Sequence, residues 1–383
     1  MEEAAGMHTS NDKYQAELTT ANSQNGSGSS SSEPSSNAPA PPTSSAAGAL
    51  NGTALTTFHV DANHEPVTHI FYQDYKAQIR RLQKIDSTWS GGSNLPAVVD
   101  FNTKPGTPLA CINYTDPGTN ITTAHLFYVN PSNVLQEVIS TDNLSTWHAG
   151  PLSDSNFTAS TSAIALAAIY SEFWLGKNMG NSSGLRLYYG ATDNQVHELA
   201  FALGSTSWSL QSTFNATNGN AGISASNPSP HTGEALLFMM DTQNQIRVWT
   251  LNSTVKPDPS FPTYGNWTQA SKISPVVAFE NSSLGYAQGW LSFQEQSKAI
   301  SAVQTYPPKL NGSPWGPTIY VGAPDVEYAQ SASSVLAASV WMGDSIESPW
   351  YLDIFYQPNG STIMECFDMD GQYILTQLPV GNS

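Results

Sequence analysis

Arg186, Glu198 and Trp208 are the residues of this chain whose types and spacing could do chemistry together. A guanidinium group donates to two neighbouring hydroxyls as a rigid fork, and a carboxylate accepts hydrogen bonds from others. An indole offers an apolar face to the C–H side of a pyranose or to a methyl group. The combination therefore suits a sugar. Because each hydrogen bond replaces one to water and adds only about 1 kcal/mol, a single such site is expected to be weak.

The segment 184–208, GLRLYYGATDNQVHELAFALGSTSW, predicts an outward-facing antiparallel hairpin. Its two strands are largely apolar and cover residues 185–189 and 195–201. Residues 191–194 form the turn, because Asp and Asn side chains bond to nearby backbone and tolerate left-handed φ and ψ. A third strand is expected to begin at Trp208.

Arg186 and Glu198 lie twelve residues apart across this turn, so we expect them nearly opposite each other on the paired strands, with Trp208 nearby. An alternative needs no ligand. The two charges could form an ordinary cross-strand ion pair, which contributes less than about 1 kcal/mol.

The hairpin is one of six copies. Its first strand recurs at 69–73, 125–129, 236–240, 290–294 and 353–357. An aromatic residue opens the last strand of each copy, at Trp89, Trp147, Trp208, Trp267, Trp315 and Tyr373. Successive aromatics lie 58, 61, 59, 48 and 58 residues apart, which indicates a repeat architecture.

This pattern predicts an all-β protein. Each copy has a further inner strand before the hairpin, for example at 109–113 and 163–167, which gives four strands a unit. Six four-stranded units over residues 51–383 fit a six-bladed β-propeller. Residues 1–50 are rich in Ser, Pro, Ala, Asn and Gly, and we expect them to be a disordered low-complexity linker.

The charge balance excludes several classes of partner. The formal net charge is −17, and the four Arg and nine Lys are dispersed, so nucleic-acid binding is not expected. No run of eighteen apolar residues predicts a membrane span. Cys111 and Cys366 should lie far apart as two buried free thiols, with a disulfide or metal site as the minor alternative. We expect no metal and no cofactor.

The sequence also holds many N-glycosylation sequons. Twelve lie within residues 51–383, at Asn51, Asn113, Asn120, Asn143, Asn156, Asn181, Asn215, Asn252, Asn266, Asn281, Asn311 and Asn359. About five would arise by chance in so Ser/Thr-rich a segment. The excess favours a secreted or cell-surface glycoprotein, although no signal peptide is visible at the N-terminus. Composition alone is the alternative explanation.

The segment RLYYGATDNQVHE with the Trp that follows closely resembles the repeats of fungal fucose-specific lectins of the Aleuria aurantia type. The six-fold count and the repeat HIFYQDYKAQIRRLQKIDSTWSGG are similar as well, so the resemblance covers about 51–383. It implies a six-bladed propeller that binds L-fucose between adjacent blades. By this resemblance Arg186 would bind ring and hydroxyl oxygens, Glu198 would accept from hydroxyls, and Trp208 would pack on the sugar. Fucosylated glycans would be the partners, and a homodimer is one open alternative for the assembly.

The other units depart from this pattern. At the Arg, Glu and Trp positions they carry His69, Arg81 and Trp89; His125, Glu137 and Trp147; Leu236, Val248 and Trp267; Trp290, Ala302 and Trp315; and Asp353, Glu365 and Tyr373. Only the third pocket is complete. The second, with His125, Glu137 and Trp147, is a weaker candidate because a neutral His donates one hydrogen bond and forms no fork. The aromatics could instead serve packing between blades.

Two other functions remain open. Residues 140–147 resemble the Asp-box turn of six-bladed sialidases, with Leu144 where glycine belongs. A glycosidase needs two carboxylates at a defined separation, for which Asp353 and Glu365 are the nearest pair. We nevertheless expect binding without chemical turnover. The other alternative is a propeller without ligand sites that serves as a protein-interaction or cell-wall scaffold.

Overall fold

A computed structural model describes residues 48–381, apart from gaps at 63–64, 117–118, 172–182, 227–234, 252–262, 265–266, 270–276, 288, 298, 306–314, 321–336, 343–349, 359–360 and 370–371. The predicted linker therefore lies almost entirely outside the described residues. Its last residues do not: Ala49 is buried, and its N–H donates to Ser361 O at 3.1 Å. The described residues begin slightly before the predicted boundary at residue 51.

The described chain folds into six antiparallel sheets in sequence order, which we call blades 1 to 6. Blade 1 contains β1 (Thr56–Ala62), β2 (Glu65–Gln73), β3 (Ile79–Ile85) and β4 (Thr88–Gly91); blade 2 contains β5 (Ala110–Asp116), β6 (Ile121–Val129), β7 (Leu135–Ser140) and β8 (His148–Ala149); blade 3 contains β9 (Leu166–Ser171), β10 (Gly184–Gly190), β11 (Val196–Ala202) and β12 (Ser209–Phe214). Blade 4 contains β13 (Ile223–Ala225), β14 (Ala235–Met240), β15 (Ile246–Leu251), β16 (Thr263–Tyr264) and β17 (Trp267–Gln269); blade 5 contains β18 (Leu284–Ala287), β19 (Trp290–Gln294), β20 (Ile300–Thr305) and β21 (Trp315–Tyr320); blade 6 contains β22 (Ala337–Met342), β23 (Trp350–Tyr356), β24 (Met364–Met369) and β25 (Gln372–Gln377). Two 3₁₀ turns, at Gly92–Asn94 and Pro151–Asp154, complete the described elements.

The first strands of the blades form a closed ring. β1 contacts β5, and the contacts continue through β9, β13, β18 and β22 back to β1. The two ends of the propeller meet where blade 6 adjoins blade 1, since Tyr72 OH donates to Val380 O at 3.1 Å and Gly52 N–H donates to Gln357 Oε1 at 2.6 Å. The predicted six-bladed β-propeller is confirmed.

Two details of the predicted strands were wrong. The inner strand of blade 3 begins at Leu166 rather than at residue 163, because residues 160–163 form a turn in which Ala163 N–H donates to Ser160 O. Blade 4 has five strands rather than four. The added strand is the two-residue β16, which pairs with β17.

The hairpin turns have one recurring geometry that fixes the register. In blade 3, Asn194 N–H donates to Ala191 O, and Ala191 N–H donates to Gln195 O. Asn194 adopts the left-handed conformation, with φ of 61°, and Asn133 and Asn244 do the same in blades 2 and 4. This is the pattern of a hairpin turn that ends in a left-handed residue, for which Asn is well suited. Each turn therefore sets the same pairing of the strands it joins.

The hydrophobic core lies between neighbouring blades. Strand side chains alternate between two faces, so each sheet contributes one face to each neighbour. Leu185, Leu187 and Phe201 of blade 3 pack towards blade 2, whereas Tyr188 and Val196 pack towards blade 4. Cys111 and Cys366 are buried thiols that form no disulfide, as predicted. In the described part of the chain, no helix has the length and apolarity to cross a membrane.

Candidate functional site

Arg186 and Glu198 form a buried ion pair on blade 3. Nη1 of the Arg186 guanidinium, on β10, donates to Oε1 of the Glu198 carboxylate, on β11. Their backbones are diagonal rather than opposite, because Arg186 pairs with Ala200 and Glu198 pairs with Tyr188. Diagonal neighbours remain within reach of long side chains. The structure thus brings the two predicted residues together. Glu198 lies two residues along β11 from the position directly opposite Arg186.

Two further donors converge on the same carboxylate oxygen. Tyr188 OH donates to Glu198 Oε1 at 3.1 Å, and the indole Nε1–H of Trp267 donates to it at 3.0 Å. Burial, assisted by the Glu198 charge, raises the pKa of Tyr188 well above its usual range, so the phenol keeps its proton and donates. Three side chains from two blades therefore hold Glu198 in one position.

The prediction that Trp208 belongs to this group was wrong. Trp208 lies on the opposite face of blade 3, stacked on Phe201 at 5.2 Å between ring centroids. Its Nε1–H donates to Glu137 Oε2 of blade 2 at 3.2 Å. The physical reason is the two-residue alternation of a strand. Even-numbered positions of β10 and β11, including Arg186 and Glu198, face blade 4, while the Phe201 face meets blade 2.

The strand-opening Trp consequently completes the group of the preceding blade. We name each boundary by the blade that precedes it, so seam 3 lies between blades 3 and 4 and contains Arg186, Glu198 and Trp267. Seam 6 lies between blades 6 and 1 and follows the same rule, because Trp89 Nε1–H donates to Glu365 Oε2 at 2.9 Å. The regular spacing of the strand-opening aromatics was visible in the sequence. The Trp that contacts each carboxylate, however, belongs to the following repeat.

Seam 2 contains His125, Glu137 and Trp208. His125 Nδ1 and Glu137 Oε1 lie 2.7 Å apart, and Glu137 Oε2 also accepts from Leu152 N–H at 2.9 Å. Both oxygens of this carboxylate are therefore engaged within the protein. Trp147, which the sequence assigned to this group, instead packs edge-to-face on Phe71 of blade 1, at 5.8 Å between ring centroids.

Seam 1 is filled by a loop. Arg81 Nη1 donates to Leu144 O at 2.9 Å, from blade 1 to the turn that resembles an Asp box. Asp142 organises that turn, and hydrogen bonds from Thr146, then from Ser140 and Ser145, lower its pKa to about 2. Leu144 stands where the motif has glycine and has φ of 66°. Leu144 is buried and accepts from Arg81, so this turn covers the seam.

In seams 4 and 5, apolar residues stand at the positions that Arg186 and Glu198 occupy in seam 3. Leu236 and Val248 are buried in seam 4, and Ala302 is buried in seam 5 beside the partly exposed Trp290. The side chains of Trp315 and Tyr373, which complete these seams by sequence, lie outside the described atoms.

Seam 6 carries an acidic pair. Asp353 and Glu365 are 3% and 2% exposed, and they share a hydrogen bond. Lys84 of blade 1 donates Nζ–H to Glu365 Oε1 at 2.5 Å and lies 5.7 Å from the centroid of the Trp89 ring. Carboxyl groups in hydrogen-bond contact leave no room for a glycosidic bond between them, which argues against the glycosidase alternative.

Seam 3 is closed in this conformation. The exposed fractions are 4% for Arg186, 1% for Glu198 and 0% for both Tyr188 and Trp267. Glu198 Oε1 receives three hydrogen bonds, but no described residue donates to Oε2. A ligand must therefore part the seam to reach this carboxylate.

Comparison with known proteins places the chain in a family. The model of the "Fungal fucose-specific lectin" family matches residues 51–256. The chain belongs to this family. The matched residues include blades 1 to 3 and the first three strands of blade 4, and with them both partners of the Arg186–Glu198 pair.

Individual relatives support the same grouping. A fucose-specific lectin of Aleuria aurantia is 27% identical over 191 residues, which are 48% of this chain and 56% of the relative. The solved structure of a variant of the Aleuria aurantia lectin in complex with alpha-methyl-L-fucoside superposes with a TM-score of 0.67 at 18% identity, covering 88% of this chain and 98% of that one. AofleA from Arthrobotrys oligospora gives a TM-score of 0.67 at 15% identity, with 88% and 89% covered. These two structural matches establish the shared fold.

Proposed function

We propose that this chain is a lectin that binds glycans containing L-fucose at seam 3, without chemical turnover. The observation that carries the proposal is the convergence of Arg186, Tyr188 and Trp267 on one oxygen of Glu198 from two blades. A cation, a fixed anion and an indole are the groups that a deoxy-sugar requires. Membership of the fungal fucose-specific lectin family agrees with this choice of ligand.

Each side chain has a distinct role in this proposal. Arg186 donates to ring and hydroxyl oxygens, while Glu198 accepts from hydroxyls through Oε2. Trp267 replaces Trp208 as the aromatic surface for the C–H face and the methyl group. Tyr188 fixes the carboxylate before the sugar arrives. This pre-organisation lowers the cost of binding because Glu198 needs no reorientation.

Binding at a single seam should be weak. The Arg186–Glu198 hydrogen bond competes with the sugar, and each new hydrogen bond adds only about 1 kcal/mol net. The seam must also open, because its groups are almost fully buried. Seam 2 is a weaker second candidate, with His125, Glu137 and Trp208, since both oxygens of Glu137 already accept hydrogen bonds.

Titration calorimetry with alpha-methyl-L-fucoside tests the proposal. The wild type should bind about one sugar per chain, and Glu198→Gln should weaken binding at least about tenfold by removing a charged acceptor. Asp193→Asn is a matched control, because Asp193 carries an exposed ion pair with His197 on the turn of the same hairpin. Full affinity in Glu198→Gln would exclude seam 3 as the site, and a chromogenic fucoside should release no product.

A ligand-free scaffold is the second candidate function. The burial of every polar group in seam 3 and the filled state of seam 1 favour it. Such a protein would give no heat with the fucoside and no signal on a fucosylated glycan array. The sequons agree with an extracellular or cell-surface location for either function.

A further inference from the structure

Seam 6 reverses the charge pattern of seam 3. Asp353 occupies the position on β23 that Arg186 occupies on β10, and Glu365 and Trp89 keep the carboxylate and indole positions. In seam 3 the protein supplies a cation beside an anion. In seam 6 it supplies two carboxyl groups at those positions, so a complementary ligand must supply positive charge.

One of these carboxyl groups has an unused acceptor. Glu365 accepts from Lys84 on Oε1 and from Trp89 on Oε2. Asp353 is 3% exposed, and its Oδ1 is buried and accepts no hydrogen bond from the described residues. A buried acceptor without a donor costs about 1–3 kcal/mol, which a ligand donor would recover.

The seam already shows that an ammonium group fits there. Lys84 Nζ contacts Glu365 and lies over Trp89 at 5.7 Å from the ring centroid, within cation–π distance. Lys84 reaches the seam from blade 1 and neutralises one carboxylate. A second ammonium beside Asp353 would balance two carboxylates with two cations.

We propose that seam 6 binds a sugar that carries a primary ammonium group, a 2-amino-2-deoxy hexose, with its ammonium on Asp353 Oδ1 and its apolar face on Trp89. The ammonium donates three hydrogen bonds, and the neighbouring hydroxyls of the sugar donate to the remaining lone pairs of the two carboxylates. The partly exposed indole supplies the surface on which a pyranose packs. This site differs from seam 3 in place and in ligand, and does not depend on fucose binding.

Proton exchange accompanies binding. Burial is the main cause that raises the pKa of Asp353 to about 7, with the Glu365 charge adding to it and Lys84 opposing it, so without ligand Asp353 holds a proton below neutrality. A bound ammonium favours two ionised carboxylates and expels that proton. Calorimetry in two buffers of different ionisation enthalpy, below neutral pH, should therefore report the release of up to about one proton for each sugar bound.

The test uses the β-1,4 disaccharide of glucosamine and its fully N-acetylated counterpart, titrated into the full chain near neutral pH. The amino disaccharide should bind and the N-acetylated one should not, because acetylation removes the charge. Asp353→Asn should weaken binding at least about tenfold. Asp86→Asn removes one exposed negative charge from the nearby β3–β4 turn and should leave the affinity within about twofold, as expected of a surface charge.

Three outcomes would overturn the proposal: no binding of the amino disaccharide, equal binding of the acetylated one, or equal loss in Asp86→Asn and Asp353→Asn, which indicates general attraction to an acidic surface. If Asp353→Asn fails to fold, the comparison of the amino and N-acetylated disaccharides on the wild type still decides. Glu198→Gln separates the two sites, since it should weaken fucoside binding at least about tenfold and leave the affinity for the amino disaccharide unchanged.

Discussion

The indole Nε1–H of Trp267 donates to Glu198 Oε1 at 3.0 Å across the boundary between blades 3 and 4. Side chains of two repeats therefore form one hydrogen-bonded group, and the same relationship joins Trp208 to Glu137 and Trp89 to Glu365. A site of this kind exists only when neighbouring blades are packed, so its integrity reports on the closure of the ring.

Trp267→Phe and Trp208→Phe form a matched pair, because each removes one buried indole N–H with a similar change in volume. Affinity for alpha-methyl-L-fucoside should fall about tenfold in Trp267→Phe, which loses a donor to the binding carboxylate. Trp208→Phe should change that affinity by less than about twofold. Calorimetry measures both affinities. A larger loss in Trp208→Phe than in Trp267→Phe would show that Trp208 is the aromatic residue of the fucose site.

The Arg186–Glu198 pair should dominate the stability of blade 3. Glu198→Gln leaves the buried guanidinium without its anion and should lower the free energy of unfolding by about 3 kcal/mol. The double variant Arg186→Met/Glu198→Gln removes both charges and should recover part of this loss. Urea denaturation measures both, with Asp193→Asn at the exposed Asp193–His197 pair as a control expected to lose about 0.5 kcal/mol or less. A double variant less stable than the single one would contradict the prediction.

His69 should make the protein acid-sensitive. Burial, then the charges of Arg81 and His59, lower its pKa to about 3 from the usual 6.5. Below pH 6.5 the unfolded chain takes up a proton that the folded chain refuses. Stability from this group is therefore complete above pH 6.5 and falls by up to about 1.4 kcal/mol per pH unit between 6.5 and 3.

His69→Phe should remove that slope, since Phe fits beside Phe58, whose ring centroid lies 5.3 Å from that of His69. Urea midpoints measured across this pH range check the effect. His148→Gln, at an exposed histidine, serves as the control and should retain the slope of the wild type. Identical slopes in all three proteins would assign the acid sensitivity to other groups.

The sequons should differ in occupancy when the chain passes through a eukaryotic secretory pathway. Asn51, Asn120 and Asn156 are exposed and can carry glycans without loss of packing. Asn113 is partly buried, and its Nδ2 donates to His59 O at 2.9 Å, so a glycan there would break a contact between blades. Glycopeptide mass spectrometry of the secreted protein should find glycans on the first three and an unmodified Asn113. Glycans on Asn113 would show that this contact is dispensable.

Much of the fold was predictable because it is local. The Ala-Thr-Asp-Asn turn at 191–194 sets the register of β10 and β11, and that register brings Arg186 to Glu198. The repeated aromatic gave the blade count, since one strand-opening residue marks each sheet. Where the chain departs from a local rule, as in the added strand β16 of blade 4, the prediction of four strands was wrong.

The sequence by itself determined the six-fold repeat and the ion pair within one hairpin, because turn chemistry and strand alternation act over a few residues. Only the tertiary structure decided which indole belongs to which carboxylate. Trp267 reaches Glu198, and Lys84 reaches Glu365, across chain separations of 69 and 281 residues. Such contacts depend on which faces of neighbouring sheets pack against each other around the ring. Patterns over a few residues do not predict that packing.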